Sequence, residues 1–352
     1  MKILHLLDIP WWSGLANYAL ESAVAHKALN HEVFFACEKN SLSLPRAQKE
    51  GVPVVPIYGR KFWDTIKNFF VMGFWIQKNK PDLIVAHTGS AQGLAFIWGK
   101  IFAVPFIRTR AAAQPVQKNW INRYIYKCCY IVVTASSHLK ELFLDRLGND
   151  FADQVRVIYP PVFCPEIAAS DAAKKIGLLA RLDPVKGHRF FLEAAALVQQ
   201  KFPDSEWHFA GPEENIRWGS LLKIAKNLGL NHVYYHGFLE EEAVQTFLKN
   251  CTIGVIASVD SEELSRAALE WMSQGKPLVA TNVGSIKEIV VEAKGGWMVP
   301  IAEPKIMAEK IIDLLENPQT AKEMGLFNHQ RCQNQFSKKM FQDVWRDVLK
   351  DI

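Results

Sequence analysis

Short apolar runs alternate with longer stretches of helical periodicity along the chain. Seven runs in the first part are apolar at nearly every position, which is typical of parallel strands covered by helices on both faces. The strands predicted there are Ile3–Leu7, Val33–Cys37, Pro53–Ile57, Leu83–His87, Pro105–Arg110, Ile131–Ala135 and Val155–Tyr159. Helical patterns, for example Leu15–Ala28 and Ser137–Leu147, follow most of these runs. Strand alternating with helix predicts a doubly wound α/β domain.

The pattern restarts after a proline-rich break. Tyr159–Pro165 contains three prolines, so it cannot form a central strand or a helix interior, and the stretch up to Lys174 resembles a linker. The elements predicted beyond it are strands Ile176–Ala180, Trp207–Ala210, Val233–His236, Ile253–Ser258 and Pro277–Thr281, with helices Gly187–Lys201, Trp218–Leu228 and Glu240–Asn250. We therefore expect two Rossmann-like domains, 1–163 and 172–336, that face each other across a cleft. A C-terminal helix at about 337–352 is expected to pack back on the first domain.

Composition fits a globular protein with two such domains. The chain has 352 residues, of which 49% are hydrophobic and 22% charged, and no apolar run is long enough to span a membrane. The first eight residues read as a strand rather than a signal peptide, and the six cysteines are scattered without a C-x-x-C pair. We therefore expect a cytoplasmic protein without disulfides or a zinc site.

The charge is distributed unevenly. The whole chain carries a net charge of +5, but residues 1–160 contain 19 Lys or Arg against 11 Asp or Glu, so the remainder is mildly acidic. A basic first half favours a surface that faces phosphates or an anionic membrane. No nucleic-acid-binding module is recognisable, so nucleic acid is not an expected partner.

The segment from Ser258 to Thr281 carries the clearest chemistry. A strand ends near Ser258, Ser265 is a plausible N-cap, and a helix is predicted over Arg266–Gln274. Glu262 thus lies in the loop at the carboxyl end of a strand, and the amides that follow it belong to a helix N-terminus, which favours anions. Glu270 lies about one turn into that helix. This arrangement lets one carboxylate meet a sugar and the other a ribose diol, with a phosphate between them.

Two further strand ends carry candidate ligand-binding residues. Arg181 and Lys186 lie between a strand and a helix in Ala180–His188, so the planar fork of one and the point charge of the other could meet the same anion. Gly14 follows the first strand and lets the backbone approach a ligand closely. The absence of G-x-G-x-x-G argues against a dinucleotide fingerprint.

Together these residues resemble the retaining family-4 glycosyltransferases of the GT-B fold. The likeness is carried by Glu262 and Glu270 with seven residues between them, by Arg181–His188, and by Met272, Gly275, Pro277, Val279, Ala280, Thr281, Val283, Gly284 and Glu288. It is weaker in the first half, where Gly14, His31-Glu32-Val33 and Asp82 with His87 carry it. Within the family the chain is most similar to enzymes that build bacterial lipopolysaccharide and other surface glycans.

The resemblance implies a role for each matching position. Arg181 and Lys186 would hold the donor diphosphate, and Glu262 would contact hydroxyls of the donor sugar. The amides of Glu263, Leu264 and Ser265 would contact phosphate or sugar, and Glu270 would bind the ribose hydroxyls. Gly14 would let the first loop approach the donor, and His87 would lie beside the reacting sugar. The base pocket would be formed by Gly237, Phe238 and Leu239. A nucleotide sugar would then be the donor, with a cell-envelope glycan or a lipid-linked molecule as acceptor.

The sequence also departs from the family pattern. Ser13-Gly14 stands where two glycines are common, Glu263 where glycine is common, and Ala111-Ala112-Ala113 where His or Gly-Asp often follows a Thr-Arg pair. No Asp-x-Asp occurs, which argues against a metal-dependent transferase and predicts that neither a metal nor another cofactor is needed. The leaving diphosphate would instead be stabilised by fixed cations and amides.

A membrane contact is suggested by Lys61–Lys80, which combines aromatic residues with four lysines and one Asp. Interfacial helices have this composition, but so does a helix that packs on a sheet, and periodicity does not separate the two. Trp120, Tyr124 and Tyr126 form a second aromatic patch amid Lys118, Arg123 and Lys127. The sequence therefore leaves two locations open, the cytoplasm and a peripheral position on the cytoplasmic membrane face.

Two other functions remain open on this evidence. A GT-B sugar-nucleotide epimerase would release nucleoside diphosphate and an altered sugar without an acceptor. A non-catalytic glycan- or membrane-binding protein would retain only the fold. The Ala111–Ala113 departure is compatible with this function. The argument against it is that all four predicted donor-site residues are present, namely Arg181, Lys186, Glu262 and Glu270.

Overall fold

The computed structural model describes residues 1–59, 61–112, 114–167, 174–260, 262–263, 265–350 and 352. The chain divides into two compact units, each built on a parallel sheet. Unit 1 comprises Met1–Pro161 and Lys338–Ile352, and unit 2 comprises Val162–Ser337. The predicted α/β class with two Rossmann-like sheets is confirmed.

Unit 1 contains a seven-stranded sheet in the order β3-β2-β1-β4-β5-β6-β7. Its strands are β1 Lys2–Leu7, β2 Glu32–Glu38, β3 Val54–Ile57, β4 Leu83–Ala86, β5 Phe106–Arg110, β6 Val132–Thr134 and β7 Val155–Val157. Its first six helices are α1 Gly14–Ala28, α2 Ser43–Lys49, α3 Phe62–Asn79, α4 Gly89–Phe102, α5 Trp120–Lys127 and α6 Ser137–Leu147. All strand pairs are parallel, so the carboxyl ends of β1, β4 and β5 lie side by side.

The two faces of the unit 1 sheet bury separate cores. Residues of α1 and α2 pack in one apolar cluster with Phe35, Cys37 and Val52. Met72 and Ile76 of α3, Trp98 of α4 and Tyr126 of α5 pack in another. The helices α3, α4 and α5 therefore cover the same face of the sheet.

Unit 2 contains a six-stranded sheet in the order β10-β9-β8-β11-β12-β13. Its strands are β8 Lys175–Leu179, β9 Glu206–Ala210, β10 Val233–Tyr235, β11 Ile253–Ile256, β12 Leu278–Thr281 and β13 Gly296–Val299. Its helices are α7 His188–Lys201, α8 Trp218–Asn227, α9 Glu241–Asn250, α10 Arg266–Ser273, α11 Ile286–Ile289, α12 Pro304–Glu316 and α13 Pro318–Arg331. Residues such as Phe191, Trp207 and Phe209 fill its core.

The sequence reading missed the edge strand β13. Its first residue, Gly296, pairs with Leu278 of β12, and a Cβ there would lie 2.1 Å from the Leu278 carbonyl oxygen. A glycine is therefore required where β13 lies beside β12. The Gly295-Gly296 pair that satisfies this need looks like a turn in the sequence.

The last helix, α14 Lys338–Leu349, returns to unit 1. It packs on α1, where the Trp345 ring meets the His26 ring edge-on at 4.5 Å between centroids, and Phe341 meets Tyr18 at 5.8 Å. All four rings are buried. Unit 1 is thus completed by chain that follows unit 2 in sequence.

Candidate active site

The turn between β8 and α7 is shaped by one glycine. Gly187 has a φ of +67°, and a Cβ at this position would lie 1.8 Å from the Ala257 carbonyl oxygen just beyond β11. Next to it, the Val259 amide donates to the Val185 carbonyl oxygen at 2.9 Å. The close approach brings Lys186 beside the loop that follows β11.

Lys186 and Glu262 form an ion pair at the carboxyl ends of these two strands. The Lys186 Nζ lies 2.5 Å from Glu262 Oε1, and the Ser258 hydroxyl donates to the same oxygen at 2.5 Å. The Lys186 side chain is 19% exposed and that of Glu262 is 6% exposed. The structure thus brings together two of the predicted site residues and adds Ser258 to them.

The backbone of Glu262 is fixed by the loop after β12. Its carbonyl oxygen accepts from the Ser285 amide at 2.7 Å and from the Ser285 hydroxyl at 2.8 Å. Gly284 has a φ of +55°, and a Cβ there would come within 2.3 Å of the same oxygen. The glycine that follows Val283 is therefore required by the position of Glu262.

Arg181 lies in the same turn as Lys186 but has different partners. Its Nε lies 3.1 Å from Glu214 Oε2, its Nη2 lies 3.7 Å from Asp183 Oδ2, and its side chain is 46% exposed. Burial by itself would raise the pKa of Asp183, but hydrogen bonds from the Val185 amide and from Asn215, with the charges of Arg181 and Lys186, lower it. Both cations therefore stabilise the charge of the Asp183 carboxylate.

The N-terminus of α10 holds two buried polar atoms that have no hydrogen-bond partner among the described residues. These are the hydroxyl oxygen of Ser265 and Nη1 of Arg266. Ser265 is the N-cap residue of α10, as predicted, and its side chain makes no hydrogen bond to the first amides of the helix. An anion at this helix end would satisfy both atoms together with the first amides of the helix. Leu264, which was also predicted here, lies outside the described residues, and its neighbour Glu263 is half-buried.

Glu270 lies one turn into α10, and its side chain is 19% exposed. Its Oε1 lies 3.5 Å from Arg266 Nη2. Burial raises the pKa of Glu270, and the charge and hydrogen bond of Arg266 oppose that rise. A neighbouring diol can donate hydrogen bonds to such a half-buried carboxylate.

The predicted base pocket follows β10. Gly237 has a φ of +68°, and its carbonyl oxygen accepts from the Gly211 amide at 2.8 Å, which joins the turns after β9 and β10. The Phe238 side chain is 66% exposed. Leu239 lines a cavity of about 380 Å³ together with His208, His236 and Phe247.

In unit 1 the structure places Gly14 and His87 in different settings. Gly14 begins α1 after the N-cap Ser13, and a Cβ at this position would meet no atom within 4 Å, so the fold itself does not require glycine there. His87 is fully buried. Its Nδ1 lies 2.7 Å from the Thr109 hydroxyl and its Nε2 lies 3.0 Å from Nδ1 of His5, so both ring nitrogens are engaged within unit 1.

The sequence reading did not identify the remainder of this histidine chain. His5 Nε2 continues to Nδ1 of His26 at 2.9 Å, and all three histidines have no exposed surface. A histidine inside a strand that is apolar on both faces, as in Ile3–Leu7, must be neutral and hydrogen-bonded. That signal was present in the sequence, although it does not reveal the partners.

Asp8, at the carboxyl end of β1, is another buried polar residue that the sequence reading left out. Its carboxylate accepts hydrogen bonds from the hydroxyls of Thr88 and Ser90 beyond β4.

The three alanines that depart from the family pattern follow β5. Ala111 is buried, and Ala113 lies outside the described residues. Among the described residues no three His, Cys, Asp or Glu side chains are grouped so as to hold a metal ion.

Comparison with known proteins identifies the family. Residues 165–330 match the model of glycosyl transferases group 1, and residues 12–164 match that of glycosyltransferase family 4. The crystal structure of Anabaena Alr3699/HepE in complex with UDP and glucose superposes over the whole of both chains with a TM-score of 0.81 at 19% identity. The chain is a GT-B glycosyltransferase of the group 1 and family 4 type.

Other relatives of this glycosyltransferase share the fold or the family. An uncharacterized glycosyltransferase of Methanocaldococcus jannaschii is 27% identical over 263 residues, which are 71% of this chain and 70% of that relative. Spore coat protein SA of Bacillus subtilis is 28% identical over 186 residues, which are 51% of this chain and 48% of that protein. The lipopolysaccharide outer core galactosyltransferase WaaB superposes over all of this chain and 99% of its own with a TM-score of 0.77 at 15% identity.

The predicted transferase activity is thus confirmed at the level of the enzyme class. Within the described ranges, no helix of the glycosyltransferase is both long and apolar enough to cross a bilayer. The roles assigned to Arg181, Lys186, Glu262, Glu270 and His87 remain predictions.

Proposed function

We propose that this glycosyltransferase moves a sugar from a nucleotide-sugar donor to a cell-envelope glycan or lipid-linked acceptor, with retention at the anomeric carbon and without a metal. One observation carries the proposal: the partly exposed Lys186–Glu262 pair lies at the carboxyl ends of β8 and β11, and the loop after β11 leads to the N-terminus of α10. A cation from the β8–α7 turn there meets a carboxylate from the loop after β11, and the helix that follows this loop begins with two buried polar atoms that have no partner among the described residues.

The donor would occupy this site from its base to its sugar. Lys186 and Arg181 bind the diphosphate, Ser265 and the amides at the start of α10 bind the same group, and Glu270 binds the ribose hydroxyls. Glu262 uses Oε1 for Lys186 and Ser258. We assign its Oε2 to a hydroxyl of the transferred sugar.

Transfer then depends on stabilising the leaving group. The bond between the anomeric carbon and the phosphate oxygen breaks, and the acceptor oxygen forms its bond on the same face of the sugar. The leaving phosphate takes the acceptor proton. Lys186, Arg181 and the helix-end amides are fixed donors that stabilise the charge on the diphosphate as it develops, which supports the metal-independent route suggested by the missing Asp-x-Asp motif.

The acceptor class rests on two supports. WaaB, a structural neighbour, is a lipopolysaccharide outer core galactosyltransferase. The first half of this chain is basic, as a surface that meets phosphorylated or membrane-bound glycans would be. We therefore place the enzyme at the cytoplasmic face of the membrane, in lipopolysaccharide or polysaccharide synthesis.

The nucleotide is identified by titrating UDP, GDP and ADP in a thermal-shift assay and then by calorimetry. UDP is the first probe, since it is bound in the Anabaena structure. A tight ligand raises the unfolding temperature by mass action. We expect one of the three to stabilise the protein, and we expect the same affinity in EDTA as in magnesium.

Transfer is then measured with the matching nucleotide sugar and glycan acceptors, and NMR gives the configuration of the product. An inverted product would contradict the retaining mechanism, and a requirement for added metal would contradict metal independence. Release of an altered sugar without acceptor would instead favour the epimerase. Binding without any turnover would favour the non-catalytic protein.

A further inference from the structure

Helix α3 has apolar side chains on two opposite sides. Asn68, Met72 and Ile76 are buried against the core of unit 1. Trp63, Phe70 and Phe74 are 70%, 67% and 69% exposed. At about 100° per residue these three aromatic residues fall within about 40° of one another, opposite the buried side. Packing on the sheet therefore accounts for only one side of the helix.

The two neighbouring helices continue the exposed side. Trp98 of α4 donates from Nε1 to the Phe69 carbonyl oxygen of α3 at 3.3 Å, and Phe96 of α4 meets Tyr124 of α5 at 5.9 Å between ring centroids. The three helices bury their inner sides in one core cluster, so their outer sides form one surface. We call this surface the aromatic face, and its members are Phe62, Trp63, Phe70, Val71, Phe74, Ile97, Ile101, Trp120, Ile121 and Tyr124, each at least 40% exposed.

The aromatic face is surrounded by positive charge. Residues 61–80, 89–102 and 114–127 contain eight Lys or Arg and a single acidic residue, Asp64. Arg123 is paired with Asp150. The other seven are lysines, all exposed, and none of them has a carboxylate partner among the described residues; they are Lys61, Lys67, Lys78, Lys80, Lys100, Lys118 and Lys127.

This combination fits a lipid surface better than a protein partner. Protein interfaces are depleted of lysine, whereas at a bilayer surface Trp and Tyr lie at the headgroup level and lysine extends its charge toward anionic lipids. Lys100 already lies over the Tyr124 ring at 6.0 Å, with the ammonium at the edge of the apolar surface. An exposed apolar surface of this extent marks an interaction site in a folded protein.

We propose that the aromatic face docks unit 1 onto an anionic lipid bilayer, with the exposed rings in the headgroup region and the lysines on anionic headgroups. Combined with the proposed function, on which this step rests, docking favours a lipid-linked acceptor over a free glycan. The enzyme would then act on a substrate confined to the same surface.

The test uses the full-length protein without nucleotide. Vesicles of phosphatidylcholine alone are compared with vesicles that also contain phosphatidylglycerol, by sedimentation at low and at high salt. We expect binding only to the anionic vesicles and weaker binding in high salt, because salt screens the lysine charges.

Three variants of the face and one control sharpen the result. Phe70→Gln with Phe74→Gln and, separately, Trp120→Gln should each lower vesicle affinity by about tenfold or more. Lys67→Gln with Lys100→Gln should lower it by about fivefold per lysine. Leu326→Gln, at a side chain 49% exposed on α13 of unit 2, should leave it unchanged.

Several outcomes would overturn the proposal. These are equal binding to neutral and anionic vesicles, no binding at all, or full binding by the Phe70 and Trp120 variants. If the protein is a dimer that Trp120→Gln dissociates and vesicles do not bind, the face is a contact between copies of the chain. UDP calorimetry needs no lipid, so a failure of docking is distinguishable from a failure of the proposed donor site.

Discussion

Both units are built on a parallel sheet, but the polar groups beside the two sheets differ in charge. Unit 1 buries His5, His26 and His87 of β1, α1 and the end of β4 as an uncharged chain of hydrogen-bonded rings. At its strand ends unit 2 places Lys186 against Glu262. A neutral chain stabilises the interior in which it lies, whereas a partly exposed ion pair can exchange partners with an anionic ligand. From this difference we expect the anionic part of a donor to bind to unit 2.

The largest effect should come from removing a cation of unit 2. Lys186→Ala and Arg181→Ala should each lower turnover by about 10²–10³-fold, because each removes a fixed donor to the leaving diphosphate. Arg189→Ala is the matched control, since Arg189 lies three residues from Lys186, is 70% exposed and pairs with Glu193 on α7. Steady-state kinetics with the cognate donor measure all three. Near-normal turnover in both Lys186→Ala and Arg181→Ala would show that the donor diphosphate does not bind at this site.

The histidine chain of unit 1 should respond to acid instead. Burial is the main cause that lowers the pKa of His5, His26 and His87, with further lowering by neighbouring histidines and, for His87, by Arg108. The unfolded chain takes up protons below about pH 6.5 and the folded chain does not, so stability is complete above that pH and falls below it. Each excluded proton changes the unfolding equilibrium by about tenfold per pH unit, or about 1.4 kcal/mol.

Hydrogen-exchange protection factors of the β1 and β4 amides report this loss in unit 1. His26→Gln keeps a hydrogen-bonding side chain beside His5 but cannot be protonated, so it should make the pH dependence shallower by one proton. His232→Gln, at an exposed residue of unit 2, should leave it unchanged. The same slope in wild type and His26→Gln would mean that the chain is not the acid-sensitive element.

The sequence predicts much of the fold because its signals are local. Apolar runs identify the strands, and the Pro160-Pro161 break lies at the boundary between the two units. The positions of Lys186 and Glu262 at strand ends also follow from order along the chain. Their 2.5 Å contact does not, because it depends on β8 and β11 being neighbours and on the close approach at Gly187.

Features that depend on several elements could not be predicted. The histidine chain joins β1, α1 and the residue after β4, which are up to 82 residues apart. Lys61–Lys80 fits both a packed and an interfacial helix in the sequence, and α3 proves to have a buried side and an exposed aromatic side. The sequence does not show which of these apolar residues face the sheet, so the two sides of α3 can be told apart only from the burial of each residue in the structure.

The finest distinction lies within unit 2, between its two carboxylates. Glu270 on α10 should bind the ribose, which donor and free nucleotide share, whereas Glu262 in the loop should contact the transferred sugar, which free nucleotide lacks. A hydrogen bond to a charged group contributes about 1.5–3 kcal/mol, so Glu270→Ala should weaken nucleoside diphosphate binding by about tenfold or more. Glu262→Ala should lower turnover and change that affinity little, although it also removes the partner of Lys186. Calorimetric titration of both variants with the cognate nucleoside diphosphate measures the difference, and Arg189→Ala again serves as the control. If Glu262→Ala loses affinity and Glu270→Ala keeps it, the ribose contact belongs to the strand-end pair rather than to α10.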